Sequence, residues 1–189
     1  MKTFNVYLCG VGGQGIGLLS EILLRAADYA GFQAKAVDTH GLAQRGGVVI
    51  SHLRFGDAVY SPMVPAGQAD LVVALERHEA LRGAEITLKD GGTLIYYNTV
   101  LQPLGVRLGR DKELSEGSLQ KYCDAAKIKV IKVEIDKLDD PRMQNIAVLA
   151  RINKLALLPG ISEDHYTRAI NDLMAGKMLD KNLELFHSL

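Results

Sequence analysis

Phe4-Asn5-Val6-Tyr7-Leu8-Cys9-Gly10-Val11-Gly12-Gly13-Gln14-Gly15-Ile16 is the stretch on which the reading of this chain turns. Phe4, Val6 and Leu8 alternate with Asn5 and Tyr7, the two-residue period of a strand. Gly10, Gly12 and Gly15 follow directly in a G-x-G-x-x-G pattern. Ile16, Leu19, Leu23, Ala26 and Ala30 then recur at three- and four-residue intervals, which predicts a helix with one apolar face, ended by Gly31 as its left-handed cap. Ala34 to Asp38 supplies a second strand, so the chain opens with a βαβ unit.

Working outward, Leu71 to Leu75 and Thr93 to Tyr97 are short, continuous apolar runs of the kind found in parallel strands buried on both faces, and Ile128 to Val133 adds another strand. Arg77 to Ala84 and Ser118 to Lys127 are helical candidates between them. After the second strand the alternation changes: Val48 to Phe55, the Gly56-Asp57 pair and Ala58 to Ser61 read as a β-hairpin insertion. The C-terminus is helical, with Ile146 to Leu158 stopped by Pro159-Gly160 and a further helix capped by Ser162, with Glu163 and Asp164 in its first turn. The expectation is one α/β domain over residues 1–189: Rossmann-like, a mostly parallel sheet with helices on both faces, a β-hairpin insertion after strand two and a helical C-terminus.

Lys plus Arg and Asp plus Glu both total 22, so no overall field draws the chain to nucleic acid or to an anionic membrane, and neither is an expected partner. The N-terminal residues enter a strand with no secretory apolar core, which predicts a cytoplasmic protein. Cys9 and Cys123 cannot supply the four thiolates of an iron–sulfur cluster. His40, His52, His78, His165 and His187 lack metal-binding spacing, so no metal site is expected. No catalytic residue is assigned either, and Cys9, at the end of a strand, reads as a small buried thiol.

Two constellations carry the functional reading. In the first, the glycine turn between strand and helix either cradles a pyrophosphate, with Asp38 placed as a ribose-binding acid, or simply permits tight helix–sheet packing. The pattern leaves both open, and the hairpin after Asp38 weighs against the nucleotide. A P-loop is excluded, because Ile16-Gly17 stands where Lys and Ser or Thr are needed. The second constellation is Gln44-Arg45-Gly46-Gly47, just past the carboxyl end of strand two, where open α/β sheets bind ligands. A guanidinium fork among glycines suits a carboxylate or phosphate; the alternative is a solvated loop. Ser61 to Gly67, apolar and stiffened by Pro62 and Pro65, is either an interface segment or a rigid cover of the chain's own core.

Taken in series, the glycine turn with Gln14, then Gln44-Arg45-Gly46-Gly47, Ser51-His52, Ser61-Pro62 and Ala69-Asp70 through Glu76, resembles the gamma subunit or domain of 2-oxoacid:ferredoxin oxidoreductases. The small (beta) subunit of the indolepyruvate type is the nearest likeness. The match runs from about residue 4 to about residue 80 and more weakly to the C-terminus through Asn145. The resemblance implies an accessory subunit, inactive alone. Its large partner would carry thiamine diphosphate, magnesium and [4Fe-4S] clusters, decarboxylate a 2-oxoacid oxidatively to an acyl-coenzyme A, and pass electrons to ferredoxin. It places Gly12, Gly13, Gln14, Gly15, Gln44, Arg45, Gly46 and Gly47 on the edge facing that partner's active site, where coenzyme A could be contacted. Glu76 joins this edge or, equally, begins the helix at Arg77 as its cap. A surface made for a large subunit can also pair with itself, giving a homodimer of the isolated chain. The rival reading is an NAD(P)- or nucleotide-binding Rossmann protein acting alone.

Overall fold

The computed structural model describes residues 1–40, 47–101, 106, 108–110, 112–138 and 140–189. Strand β1 is Phe4–Val11. Its alternation sends Val6 and Leu8 into one apolar cluster and Tyr7 and Cys9 into another, so both faces of the strand are buried. Helix α1, Ile16–Tyr29, buries Ile16, Leu19, Leu23 and Ala26 on the face that the spacing predicts. It closes with the Ala30 N–H on the Ala26 carbonyl and Gly31 at φ 83°.

The remaining strands are β2 Gln33–His40, β3 Val48–Gly56, β4 Ala69–Ala74, β5 Leu88–Tyr97 and β6 Lys129–Val133. They form one sheet in the order β2-β3-β1-β4-β5-β6. β1, β4, β5 and β6 run parallel, and β3 runs antiparallel to both its neighbours. The antiparallel strand expected after strand two is therefore present, but with different partners. It pairs with β2 from Gln33↔Gly56 to His40↔Val49 and with β1 from Phe4↔Phe55 to Val11↔Val48, while Ala58 to Ser61 forms no strand. Pairing on both sides buries Leu53 and Phe55 in the main core, which a two-stranded flap would have left half bare.

Helices cover both faces. α1 lies on β1, β2 and β3, whereas α2, Arg77–Thr87, lies on β1, β4 and β5. α3, Glu116–Ala125, packs on β6. On the α1 side, α4 (Gln144–Lys154), α5 (Glu163–Leu173) and α6 (Gly176–Ser188) complete the larger core through Ile146, Leu149, Ile152, Tyr166, Ile170 and Phe186. Helix α4 stops before the expected limit at Leu158. The Leu157 N–H returns to the Ile152 carbonyl at 3.0 Å and Ala156 adopts φ 47°. This left-handed stop acts ahead of Pro159, at a cost of roughly 1–2 kcal/mol for a residue with a Cβ. α5 is capped by Ser162, whose N–H donates to His165 Nδ1 at 3.1 Å.

α1 leaves β1 toward one face and α2 leaves β4 toward the other. The strand order thus switches between β1 and β4, and the carboxyl ends of these two strands flank the crevice where open α/β sheets take their ligands.

Candidate functional site

At the carboxyl end of β1 the chain turns through Gly12, Gly13, Gln14 and Gly15 into α1. Gly13 (φ 101°) and Gly15 (φ 82°) hold left-handed conformations that glycine adopts without strain. Gly13 is the exposed tip, and a Cβ there would meet nothing within 4 Å. Gly15 is crowded: a Cβ would stand 2.5 Å from Asn145 Nδ2, at the start of α4.

The Gly12 N–H donates to the Gly47 carbonyl at 2.8 Å, one step beyond the Val11↔Val48 pair. The glycine turn and the end of the second constellation therefore meet at one edge of the sheet. Gln44, Arg45 and Gly46 lie outside the described residues.

Gln14 points inward. Its side chain is 2% exposed; Oε1 accepts from the Val11 N–H at 2.7 Å, and Nε2 donates to the Leu75 carbonyl at 2.5 Å and to Gln144 Oε1 at 3.3 Å. It lies across the ends of β1 and β4 and fills the switch-point crevice with the protein's own amide. Asn145 Nδ2 adds a bond to the Gly15 carbonyl at 3.3 Å. Gln144 and Asn145 belong with the turn in space, yet nothing local in the sequence announces it. Pro141 and Asn145 mark a helix start, not what that start docks against.

Asp38 lies on β2 beside Gly17, whose Cβ would sit 3.4 Å from Asp38 Oδ2. In a dinucleotide half the ribose-binding strand adjoins β1, whereas here β3 intervenes and moves β2 out by a strand spacing of about 4.8 Å. Glu76 stands at the end of β4, on the same edge as the turn. Its Oε2 accepts from the Glu79 N–H at 2.9 Å and Oε1 from the Leu101 N–H at 3.3 Å, with the residue 1% exposed. It caps α2 and ties down the segment after β5, and both of its oxygens are engaged.

The other polar residues singled out in the sequence serve packing. Ser51 and Ser20 share a buried hydroxyl contact of 2.6 Å between β3 and α1. His52 faces the opposite side, edge-on to Tyr7 with ring centroids 5.1 Å apart, and its Nδ1 accepts from the Val64 N–H at 3.2 Å. Burial lowers its proton affinity. Val64 is buried, and Arg54 Nη1 donates to the carbonyls of Ser61 and Met63, so Ser61 to Gly67 is fastened over the chain's own core. That loop leaves the sheet at the Phe4 end of β1, opposite to the glycine turn. Tyr60 and Met63 remain exposed on it.

Cys9 is buried, and its Sγ donates to the Glu79 carbonyl at 3.3 Å. Burial and the nearby Glu79 and Glu76 carboxylates hold its pKa well above the ordinary thiol value. Cys123 on α3 is pushed up to about 11, mainly by burial. These two thiols do not fit an iron–sulfur cluster, which needs four thiolates or their equivalent. Among the described residues no group of three or more His, Cys, Asp or Glu could hold a metal ion, and no helix is long and apolar enough to cross a membrane.

Residues 5–188 match the family described as pyruvate ferredoxin/flavodoxin oxidoreductase. The chain is 40% identical over 187 residues to the indolepyruvate oxidoreductase subunit IorB of Archaeoglobus fulgidus, covering 95% of this chain and 90% of that one. It is 33% identical to the subunit of the same name from Pyrococcus horikoshii, covering 98% and 94%. The fold is similar to that of the keto/oxoacid ferredoxin oxidoreductase gamma subunit of Geobacter sulfurreducens, with a TM-score of 0.63 at 22% identity over 97% of this chain and 94% of that one. The chain belongs to the pyruvate ferredoxin/flavodoxin oxidoreductase family.

Proposed function

We propose that this chain is the small accessory subunit of a cytoplasmic 2-oxoacid:ferredoxin oxidoreductase of the indolepyruvate type. The observation that carries the reading is likeness along the whole length to subunits of that name, at 40% identity over 95% of the chain. The geometry supports it. The turn that would grip a dinucleotide is filled by Gln14, the strand bearing Asp38 is displaced by β3, and neither feature suits a self-sufficient nicotinamide enzyme. The sheet edge instead offers main chain at Gly12 to Gly15, joined to Gly47, as a surface for a partner.

In this reading the large subunit holds thiamine diphosphate, magnesium and [4Fe-4S] clusters, and together they supply oxidative decarboxylation of a 2-oxoacid to an acyl-coenzyme A with ferredoxin as acceptor. This chain's residues take no chemical step. Gly12 to Gly15, Gln44 to Gly47 and the edge at Glu76 shape the entrance to a site built elsewhere, where coenzyme A would pass. The test is reconstitution. The purified chain should reduce no dye with a 2-oxoacid, and adding it to its large subunit should raise the rate at least about tenfold over the large subunit alone, the scale of losing roughly 1.4 kcal/mol of barrier. An unchanged rate on mixing sinks the reading.

A further inference from the structure

Gln14 holds the glycine turn in a way that chain reversal alone does not require. A strand can pass into a helix through glycines with no side chain in the crevice, yet here one carboxamide joins three elements. Its Oε1 takes the Val11 N–H at 2.7 Å at the end of β1, and its Nε2 gives to the Leu75 carbonyl at 2.5 Å just past β4 and to Gln144 Oε1 at 3.3 Å on α4. Gly10 is shaped to this fold-back: a Cβ there would stand 2.9 Å from Gln14 Oε1 and 3.0 Å from Ile16 Cδ1. From the other side Asn145 Nδ2 reaches the Gly15 carbonyl at 3.3 Å. All of these side-chain bonds run inward, and the exposed tip at Gly13 presents only main chain, with open space where a Cβ would be.

A carboxamide can do this because it offers an acceptor and two donors on one planar group. A carboxylate of the same shape keeps the acceptor for Val11 but sets a lone pair against the Leu75 carbonyl. An alanine leaves the Val11 N–H and Leu75 carbonyl without their partner.

We infer that Gln14 is a positioning residue: its carboxamide locks the Gly12–Gly15 turn onto the end of β4 and the start of α4, and so sets the direction in which the Gly13 main chain meets the large subunit's reaction site. The inference rests on the subunit reading above. It assigns Gln14 an action through the turn, with no contact to substrate.

Titrating the full chain into a fixed amount of its large subunit separates the two effects such a residue could have, since the half-saturation point reports assembly and the plateau reports turnover. For Gln14→Glu the plateau should fall at least about tenfold, with the half-saturation point and the KM for the 2-oxoacid each within about threefold of wild type. A plateau equal to wild type overturns the inference, whether or not the half-saturation point moves, because Gln14 then serves folding or assembly alone. If circular dichroism shows Gln14→Glu unfolded, Gln144→Ala decides. It removes only the 3.3 Å contact, and should lower the plateau by about threefold with unchanged half-saturation, whereas an unchanged plateau overturns the inference. Failure of the wild-type chain to raise the rate is a different result and counts against the subunit reading itself.

Discussion

The Gly12 N–H and the Gly47 carbonyl, 2.8 Å apart, tie together two glycine motifs that the sequence keeps well separated. Through this bond the antiparallel strand β3 becomes part of the candidate site. It begins at the glycine turn and carries away from it the chain that a dinucleotide-binding protein would use for ribose.

Gly13 and Gly15 share a left-handed backbone but have different surroundings, and alanine at each should separate strain from crowding. Gly13→Ala should cost about 1 kcal/mol, for the conformation alone. Gly15→Ala should cost about 2–3 kcal/mol, because Asn145, whose Nδ2 stands 2.5 Å from the new Cβ, must also give way. Urea denaturation of the isolated chain measures both. Equal midpoints would show that α4 does not press on the turn.

Burial disfavours the proton on His52, and the neutral ring accepts the Val64 N–H through Nδ1, a bond that protonation there abolishes. In the unfolded chain the imidazole titrates near its ordinary value of about 6.5. As the pH falls below about 6.5 the unfolded state takes up protons that the folded state refuses, so this group's contribution to stability is full above that value and declines below it. Urea midpoints at about pH 7.5 and 5.5 should therefore drop more for wild type than for His52→Gln. Identical pH dependence in the two proteins would mean that His52 titrates freely in the fold.

Both thiols should resist alkylation in the native chain at about pH 8 and react once it is unfolded, because a raised pKa leaves little thiolate and burial denies access. Mass spectrometry after iodoacetamide treatment reads this directly. Rapid native labelling of Cys9 would contradict its place beneath α2.

Arg45 belongs to the segment joining β2 to β3, outside the described residues. Arg45→Ala should leave the thermal midpoint nearly unchanged and lower the activity of the assembled complex at least about tenfold, with Arg45→Lys restoring part of it. Lysine keeps the charge but loses the planar fork that grips a carboxylate or phosphate with two parallel bonds. If both variants assemble and turn over as wild type does, the arginine is a solvated loop residue. If assembly alone fails, it is an interface anchor.

What the sequence determined by itself is local. The period of Phe4 to Leu8, the glycines after it, the apolar stripe from Ile16 to Ala26 and the start at Ser162 each depend on neighbours a few residues away, and spacing and capping rules read such features directly. The apolar run of β4 and the Thr93 to Tyr97 half of β5 were legible for a related reason, since central strands covered on both faces are apolar nearly throughout, whereas β6, at the sheet edge, buries Ile131 and Val133 and leaves Lys129 and Lys132 exposed. The family likeness adds the order of the motifs, but not the direction of their side chains.

Tertiary structure decided which strand β3 would pair with, where α4 would stop, and that Gln14 would turn inward to Leu75 and Gln144. Pairing is decided by how much apolar surface each register buries, a comparison over the whole sheet that a local turn signal such as Gly56-Asp57 does not contain. A glutamine among glycines looks like a surface ligand until the ends of β1, β4 and α4 are brought together. There the Val11 N–H and the Leu75 carbonyl need partners away from water, and the amide of Gln14 is the group within reach of both.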